Sequence, residues 1–509
     1  MDRTAGILMP IFSLPSKYGI GCFSKSAYDF VDWLKEAGQC YWQILPLVPT
    51  SYGDSPYQSF STYAGNPYFI DLERLIAEGL LTKKECDSID FGADSSDIDY
   101  EKMYNGRYML LRKAYERANV AEDNDFKWYV GENAWWLNDY ALFMALKNNF
   151  DGKPWTEWPE DIRLRYGYSM EYYYKELYFE IEFQKYMQYL YQMQWLDLKR
   201  YANEKGVQII GDIPIYVAMD SADVWANPEL FQLDENNLPV AVAGCPPDGF
   251  SATGQLWGNP LYRWEYHRAT GYEWWMKRLG YCFKFYDVLR IDHFRGFDEY
   301  YSIPYGETTA LNGTWVKGPG IELFWKMWEV LGFQKVIAED LGYVTDSVRQ
   351  LVKETGFPGM KVLEFAFDSR DSGSANDYLP HNYIENCVAY TGTHDNETLQ
   401  GWIKNIKPEE RKMVREYLCD KYTPTEELHI SLIGTAMRTN AHMCIIPIQD
   451  YLGYDNSCRI NQPSTVGTNW RWRITKKELS RKLQKQIRSI TKTYGRLCWQ
   501  WNKELDDVK

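Results

Sequence analysis

The sequence predicts an α/β chain folded as a (β/α)8 TIM barrel with helical and loop insertions, and three observations predict it. Eight short apolar stretches along the 509 residues read as buried strands. Helical patterns separate most of them, the alternation that builds a parallel sheet. Three of the strands run into acidic residues, as expected where the C-terminal ends of barrel strands line a cleft. Length alone would divide the chain into roughly three domains, but barrels with insertions run long as one unit. With no internal repeat, low-complexity tract or linker in the sequence, residues 1–509 are read as a single catalytic unit.

Residues 6–12, Gly-Ile-Leu-Met-Pro-Ile-Phe, read as the first strand and end in a Ser-Leu-Pro-Ser turn. A helix is expected over 24–38: Ser24 suits the cap, Ala27, Phe30, Val31 and Leu34 share a face, and Gly38 ends it. Residues 41–45 form the second strand. After it comes a polar, turn-rich loop over 54–61 that holds Tyr57, in the position where barrel loops collect binding residues. From 72 to 205 the pattern is helical, an insertion between strands two and three. Phe179, Phe183, Met187 and Leu190 form a stripe there that reads as core. The third strand, 207–214, places Asp212 at its end. A second insertion covers 214–285. Its Gly- and Pro-rich stretch at 245–260, with Phe250 and Trp257, reads as a structured lid. Strands four to eight are expected at 288–292, 335–342, 360–365, 387–391 and 443–448.

Bulk composition narrows the function classes. A net charge of −14 argues against a polyanionic partner, and no basic run of the kind nucleic-acid binding needs is present. No apolar run approaches membrane-spanning length. The ten cysteines show no C-x-x-C pair or zinc-like spacing, and the N-terminus does not read as a secretory leader. They are expected to be reduced thiols in a cytoplasmic protein. Aromatic residues make up 17%, and their flat faces suit sugar rings, although large cores also use them.

The stretch around which the chain is organised is residues 287–296, Asp-Val-Leu-Arg-Ile-Asp-His-Phe-Arg-Gly. Arg290 beside Asp292 keeps that carboxylate ionised, which makes Asp292 a candidate nucleophile; a structural ion pair at a sheet end is the alternative. Asp292, Glu339 and Asp395 follow strands four, five and seven, so barrel closure brings them to one face. Three acids in one cleft must take different protonation states or bind a metal. A metal would use His293 and His394 as co-ligands, but no H-x-x-x-H or Asp-rich loop supports one, and none is expected. Glycoside chemistry is the other reading: one carboxylate attacks the anomeric carbon while a protonated partner gives its proton to the leaving oxygen. Glu339 would be that acid, its pKa raised by Asp340 beside it.

With Leu-Arg-Ile-Asp-His-Phe-Arg-Gly, Ala-Glu-Asp-Leu-Gly and Thr-Gly-Thr-His-Asp-Asn in this order, the chain resembles the 4-α-glucanotransferases (amylomaltases or disproportionating enzymes) of glycoside hydrolase family 77 in the α-amylase clan. The likeness runs from the first strand to the last helix. It implies Asp292 as nucleophile, Glu339 as general acid/base and Asp395 as the acid that binds sugar hydroxyls in the transition state. It further implies substrate contacts from Arg290, His394, Asp212, Tyr57 of the Ser-Pro-Tyr motif, Asp248, Gln255 and Trp257 of a glucan-covering loop at 245–260, and Asn461. The family often has Gly after the proline of Asn-Gln-Pro, where this chain has Ser464. Expected partners are α-1,4-glucans such as maltose, maltodextrins, and starch or glycogen chains, and the alternative on the same barrel is an α-glucan hydrolase. Because the bond made matches the bond broken, no cofactor is expected, in keeping with the lack of a P-loop or G-x-G-x-x-G fingerprint. The chain begins at the barrel, so no N-terminal starch-binding domain is expected.

Overall fold

The computed structural model describes residues 3–51, 53–247, 251–342, 344–370 and 376–498. Eight parallel strands close into a barrel in the order β1-β12-β11-β10-β9-β6-β3-β2. They are β1 (Thr4–Leu8), β2 (Tyr41–Gln43), β3 (Gln208–Pro214), β6 (Val288–Asp292), β9 (Val336–Ala338), β10 (Gly359–Val362), β11 (Cys387–Tyr390) and β12 (Met443–Pro447). All eight predicted strands are present; the fourth has the predicted bounds, the first and sixth begin one or two residues early, and all but the third and fourth end sooner than expected. The first helix, Lys25–Glu36, starts at Ser24 and stops before Gly38, which has φ 74°.

Period-two alternation decides what the barrel interior holds. Leu8, Ile210, Val288, Ile337, Val362, Val388 and Ile445 form one apolar plug, while Leu289 and Ile291 join the layer beneath the helices. On β6 the residues on the plug's side are Val288, Arg290 and Asp292, so the strand passes from plug to charged rim within five residues. Gly6 shows how tight the lower barrel is. A Cβ there would lie 2.6 Å from Tyr41 Cβ and 2.7 Å from Ile445 Cδ1. Gly6→Ala is therefore expected to destabilise the fold by about 1–3 kcal/mol through overpacking, read as a lower urea midpoint at unchanged slope.

The predicted strands at 335–342 and 360–365 both stop early, the first because side chains take over its hydrogen bonds and the second because the chain turns into a 3-10 helix. Glu339 still bonds the neighbouring strand through its N–H, to the Ile291 carbonyl at 3.1 Å, but beyond it the Leu341 N–H goes to Glu339 Oε1 and the Met360 N–H to Asp340 Oδ1, so residues 340–342 leave the ladder. Beyond Val362 the chain turns into the 3-10 segment Leu363–Phe367.

The chain between β2 and β3 is helical, with long helices at Tyr100–Arg117, Asn124–Asn149 and Tyr178–Glu204. The last is fastened to the barrel: Gln188 bonds both the N–H (2.7 Å) and the carbonyl (2.8 Å) of Gly65. Phe183, Met187 and Leu190 are buried on it, but Phe179 is 76% exposed, so the apolar stripe ends one turn early.

A four-stranded antiparallel sheet in the order β5-β4-β7-β8 was not anticipated from sequence. It joins β4 (Ala241–Cys245) and β5 (Gln255–Pro260) to β7 (Glu299–Pro304) and β8 (Thr314–Lys317). Ala-Val-Ala-Gly-Cys and Gln-Leu-Trp-Gly-Asn-Pro have little intrinsic strand preference, and distant pairing with β7 supplies the order. Among the described residues no helix is long and apolar enough to cross a membrane.

Candidate active site

Strand register sets the acids side by side. Leu289, Arg290 and Ile291 of β6 lie against Val336, Ile337 and Ala338 of β9. One step onward, Asp292 and Glu339 occupy matching positions on adjacent strands, which run about 4.8 Å apart. On the other flank Asp212 of β3 pairs with Arg290.

Arg290 binds two carboxylates at once. Its Nη1 donates to both oxygens of Asp212 (2.8 and 2.7 Å) and its Nη2 to Asp292 Oδ1 (2.9 Å). The Arg290 and Asp212 side chains are 3% and 0% exposed, whereas Asp292 keeps 28%, the open side a reacting carboxylate needs. Burial raises Asp292 above the ordinary carboxylate range, Arg290 opposes that shift, and Asp212 and Asp395 add to it.

Glu339 is held by backbone. Its Oε2 accepts from the His293 N–H (2.7 Å) and its Oε1 from the Leu341 N–H (2.8 Å). His293 takes a left-handed φ of 52°, a conformation uncommon outside glycine, and its N–H binds Glu339 from there. Burial first and the Asp292 charge second push Glu339 up to about 7, against the pull of Arg290 and the two N–H bonds. Asp340 is not the cause: its Oδ1 is engaged by the Met360 N–H. Near neutrality the pair therefore shares one proton, and the guanidinium beside Asp292 keeps the negative charge there.

Asp395 stays ionised. Burial works to raise it, but His394 Nε2 at 3.2 Å and Asn461 Nδ2 at 2.6 Å hold it down at about 2. His394 is raised in turn: burial lowers it, and the Asp395 charge more than compensates. The Tyr57 ring stacks on His394 (5.2 Å, interplanar 11°) while its hydroxyl donates to Asp212 Oδ2 at 2.7 Å. One tyrosine thus spans both flanks of the cleft.

On the β5 side, Trp257 meets His293 edge to face (4.8 Å, 89°), and its Nε1 donates to Gln255 Oε1 at 3.0 Å. Of the three residues predicted for the covering loop, Gln255 and Trp257 lie on the sheet beside the end of β6, and Asp248 lies outside the described residues. Ser464 sits at φ 65°, which explains why glycine suits that position.

Sequence reasoning did not single out Arg459 or Trp470. Arg459 donates to the carbonyls of Asp395 (2.6 Å) and Asn461 (2.7 Å), and Trp470 packs against both Tyr57 and His394. Arg459 lay in the quoted Arg-Ile-Asn-Gln-Pro stretch, but a bond to backbone carbonyls leaves no trace in residue type. His293 was weighed as a metal ligand. Among the described residues no group of three or more His, Cys, Asp or Glu is placed to hold a metal ion.

Comparisons with known proteins place this geometry. The glycoside hydrolase family 77 model, described as 4-alpha-glucanotransferase, matches residues 9–479. The chain is 50% identical to a 4-alpha-glucanotransferase of Clostridium butyricum over 491 residues, covering 96% of this chain and 100% of the relative. It is 48% identical to one from Streptococcus pneumoniae, covering 100% and 99%. The structure of an amylomaltase from Streptococcus agalactiae in complex with acarbose superposes with a TM-score of 0.94 at 42% identity, covering 97% of this chain and 100% of that one. Matched along nearly its whole length by sequence and by structure, the chain belongs to the 4-α-glucanotransferase family, glycoside hydrolase family 77.

Proposed function

We propose that this protein transfers α-1,4-glucan segments between maltodextrins by retaining double displacement. The observation that carries the reading is the Asp292–Glu339 pair on adjacent strands, with Arg290 bound to one member and not the other. Retaining enzymes need their carboxyls about 5–5.5 Å apart, the scale of one strand spacing. Ionised Asp292 attacks C1 of the donor sugar while Glu339 protonates the departing oxygen. The shortened glucan leaves, and a second glucan presents its 4-hydroxyl. Glu339, now a base, takes that proton as the new α-1,4 bond forms and Asp292 is released.

Asp395 and His394 bind hydroxyls of the sugar as its ring takes on oxocarbenium character, and Asn461 keeps Asp395 aimed. Tyr57 offers a face to the sugar, with Asp212 fixing its hydroxyl. Gln255 and Trp257 cover the acceptor side and, with Asp248, form the wall that favours sugar over water at the intermediate. The acarbose held by the S. agalactiae amylomaltase supports a glucan-like occupant. None of the ten cysteines is joined in a disulfide among the described residues, which fits a cytoplasmic setting.

Incubation with maltotriose alone tests the reading. The expected result is glucose together with maltodextrins longer than the starting trimer. Glucose and maltose with no longer product would make the enzyme a hydrolase.

A further inference from the structure

Behind the turn that holds His394 and Asp395 lies a second group of acids that the reaction does not touch. Glu364 follows β10, Thr391 directly follows β11, and Asp450 sits in the short helix Ile448–Leu452 after β12. Two carboxyls thus flank the point where the chain leaves β11 to form the turn. Both are buried, at 8% and 1% exposure.

Their contacts converge on residues 391–399. Asp450 Oδ2 accepts from the Thr391 hydroxyl (2.5 Å) and Oδ1 from the Leu399 N–H (2.8 Å), so Asp450 grips both ends of the segment. Glu364 Oε1 is buried without a hydrogen-bond partner and lies against Gly392, where a Cβ would come within 2.9 Å of it. The Asn396 carbonyl is used by the N–H and hydroxyl of Thr393 (2.9 and 2.8 Å), which leaves its NH2 group for Glu364. The charged groups facing Glu364 are Asp450, Glu397 and Arg459. Arg459 spends donors on the Asp395 and Asn461 carbonyls, so it ties the buried acids to the catalytic turn without neutralising both of them.

We propose that Glu364 and Asp450 are positioning residues for the transfer reaction, a buried carboxyl pair that braces residues 392–396 and so aims Asp395 at the donor sugar. Two acids with so little opposing charge do not both ionise in a dry setting. Burial accordingly pushes Asp450 up to about 7 and Glu364 well above its ordinary value. The role rests on the reading of Asp395 as a sugar-binding acid.

The test is maltotriose disproportionation by wild type, Glu364→Gln, Glu364→Ala, Asp450→Asn and Asp395→Asn, with kcat and KM measured from pH 6 to 9 beside a thermal melt. Glu364→Ala is expected to lower kcat about 10-fold or more with little change in KM, because a small misplacement of an acting group is costly. Glu364→Gln, a neutral isostere, is expected to recover most of that loss, and Asp450→Asn to fall between the two. The ratio of Glu364→Gln to wild-type kcat is expected to rise with pH, since the wild-type carboxyl loses its proton and the amide has none to lose. Wild-type kcat in Glu364→Ala, or Glu364→Gln as poor as Glu364→Ala, overturns the proposal. Should Glu364→Ala fail to fold, the pH ratio decides alone: rising supports the brace, flat or falling overturns it. Full activity in Asp395→Asn would sink the reading of Asp395 itself, a separate failure.

Discussion

Asp292→Asn is expected to lower maltotriose disproportionation by at least about 10⁴-fold, the scale seen when a covalent nucleophile is removed. The variant isolates charge from shape. Asparagine keeps an oxygen that accepts from Arg290 Nη2, now at 2.9 Å from Asp292 Oδ1, so the cleft stays assembled. What disappears is the electron pair that attacks C1 and the negative charge that stabilises the oxocarbenium-like centre. Maltotriose binding, measured by calorimetry, should stay within about threefold of wild type, since the loss falls on the transition state. A glycosyl adduct trapped on the wild type with a slow donor should map by mass spectrometry to Asp292 and be missing from the variant. Residual turnover above about one part in a hundred, or an adduct on another residue, would take the nucleophile role away from Asp292.

The second large effect is at Glu339, and here pH dependence is the sharper signature. For the first half-reaction Glu339 must hold its proton and Asp292 must have lost its own. Glu339 is raised to about 7, so kcat/KM falls as pH rises through that region. Asp292 is raised less, with Arg290 at its side, and kcat/KM falls again as acid protonates it. The expected profile is a bell whose limbs belong to the coupled pair. Glu339→Gln should cost about 10²–10⁴-fold with ordinary glucans and erase the alkaline limb. A donor whose leaving group departs without a proton, such as an aryl or fluoride glycoside, should recover much of the first step. An unchanged alkaline limb in Glu339→Gln would assign that titration to another group.

How much of this was legible beforehand depends on whether the cause was local. The strand Val288–Asp292 was read to the residue, because alternation and the clustering of charge at its end are both local signals. The three acids were singled out for the same reason, since one ends an apolar run and the other two follow one. The origin of the Glu339 shift was misread, because adjacency in sequence favoured Asp340 while adjacency across strands belongs to Asp292. The antiparallel sheet was missed because β4 and β7 are held together by pairing across some 60 residues and not by their own composition. Arg459 escaped notice because it acts on backbone. Asp248 remains an expectation, outside the described residues.

The seam between β1 and β12 has a consequence for synthesis. Residues 4–8 hydrogen-bond to residues 443–447, and Arg3 and Arg496 fasten carbonyls of Thr439 and Met437 on the same side. On the ribosome, Asp292 and Glu339 emerge long before the strand that completes the ring, and the anchors of Asp395 at 459 and 461 come later still. Until then the growing polypeptide exposes two unpaired strand edges, the hallmark of an aggregation-prone intermediate. Ring closure therefore waits on the C-terminal part of the chain, because the order of the strands pairs the first with the last.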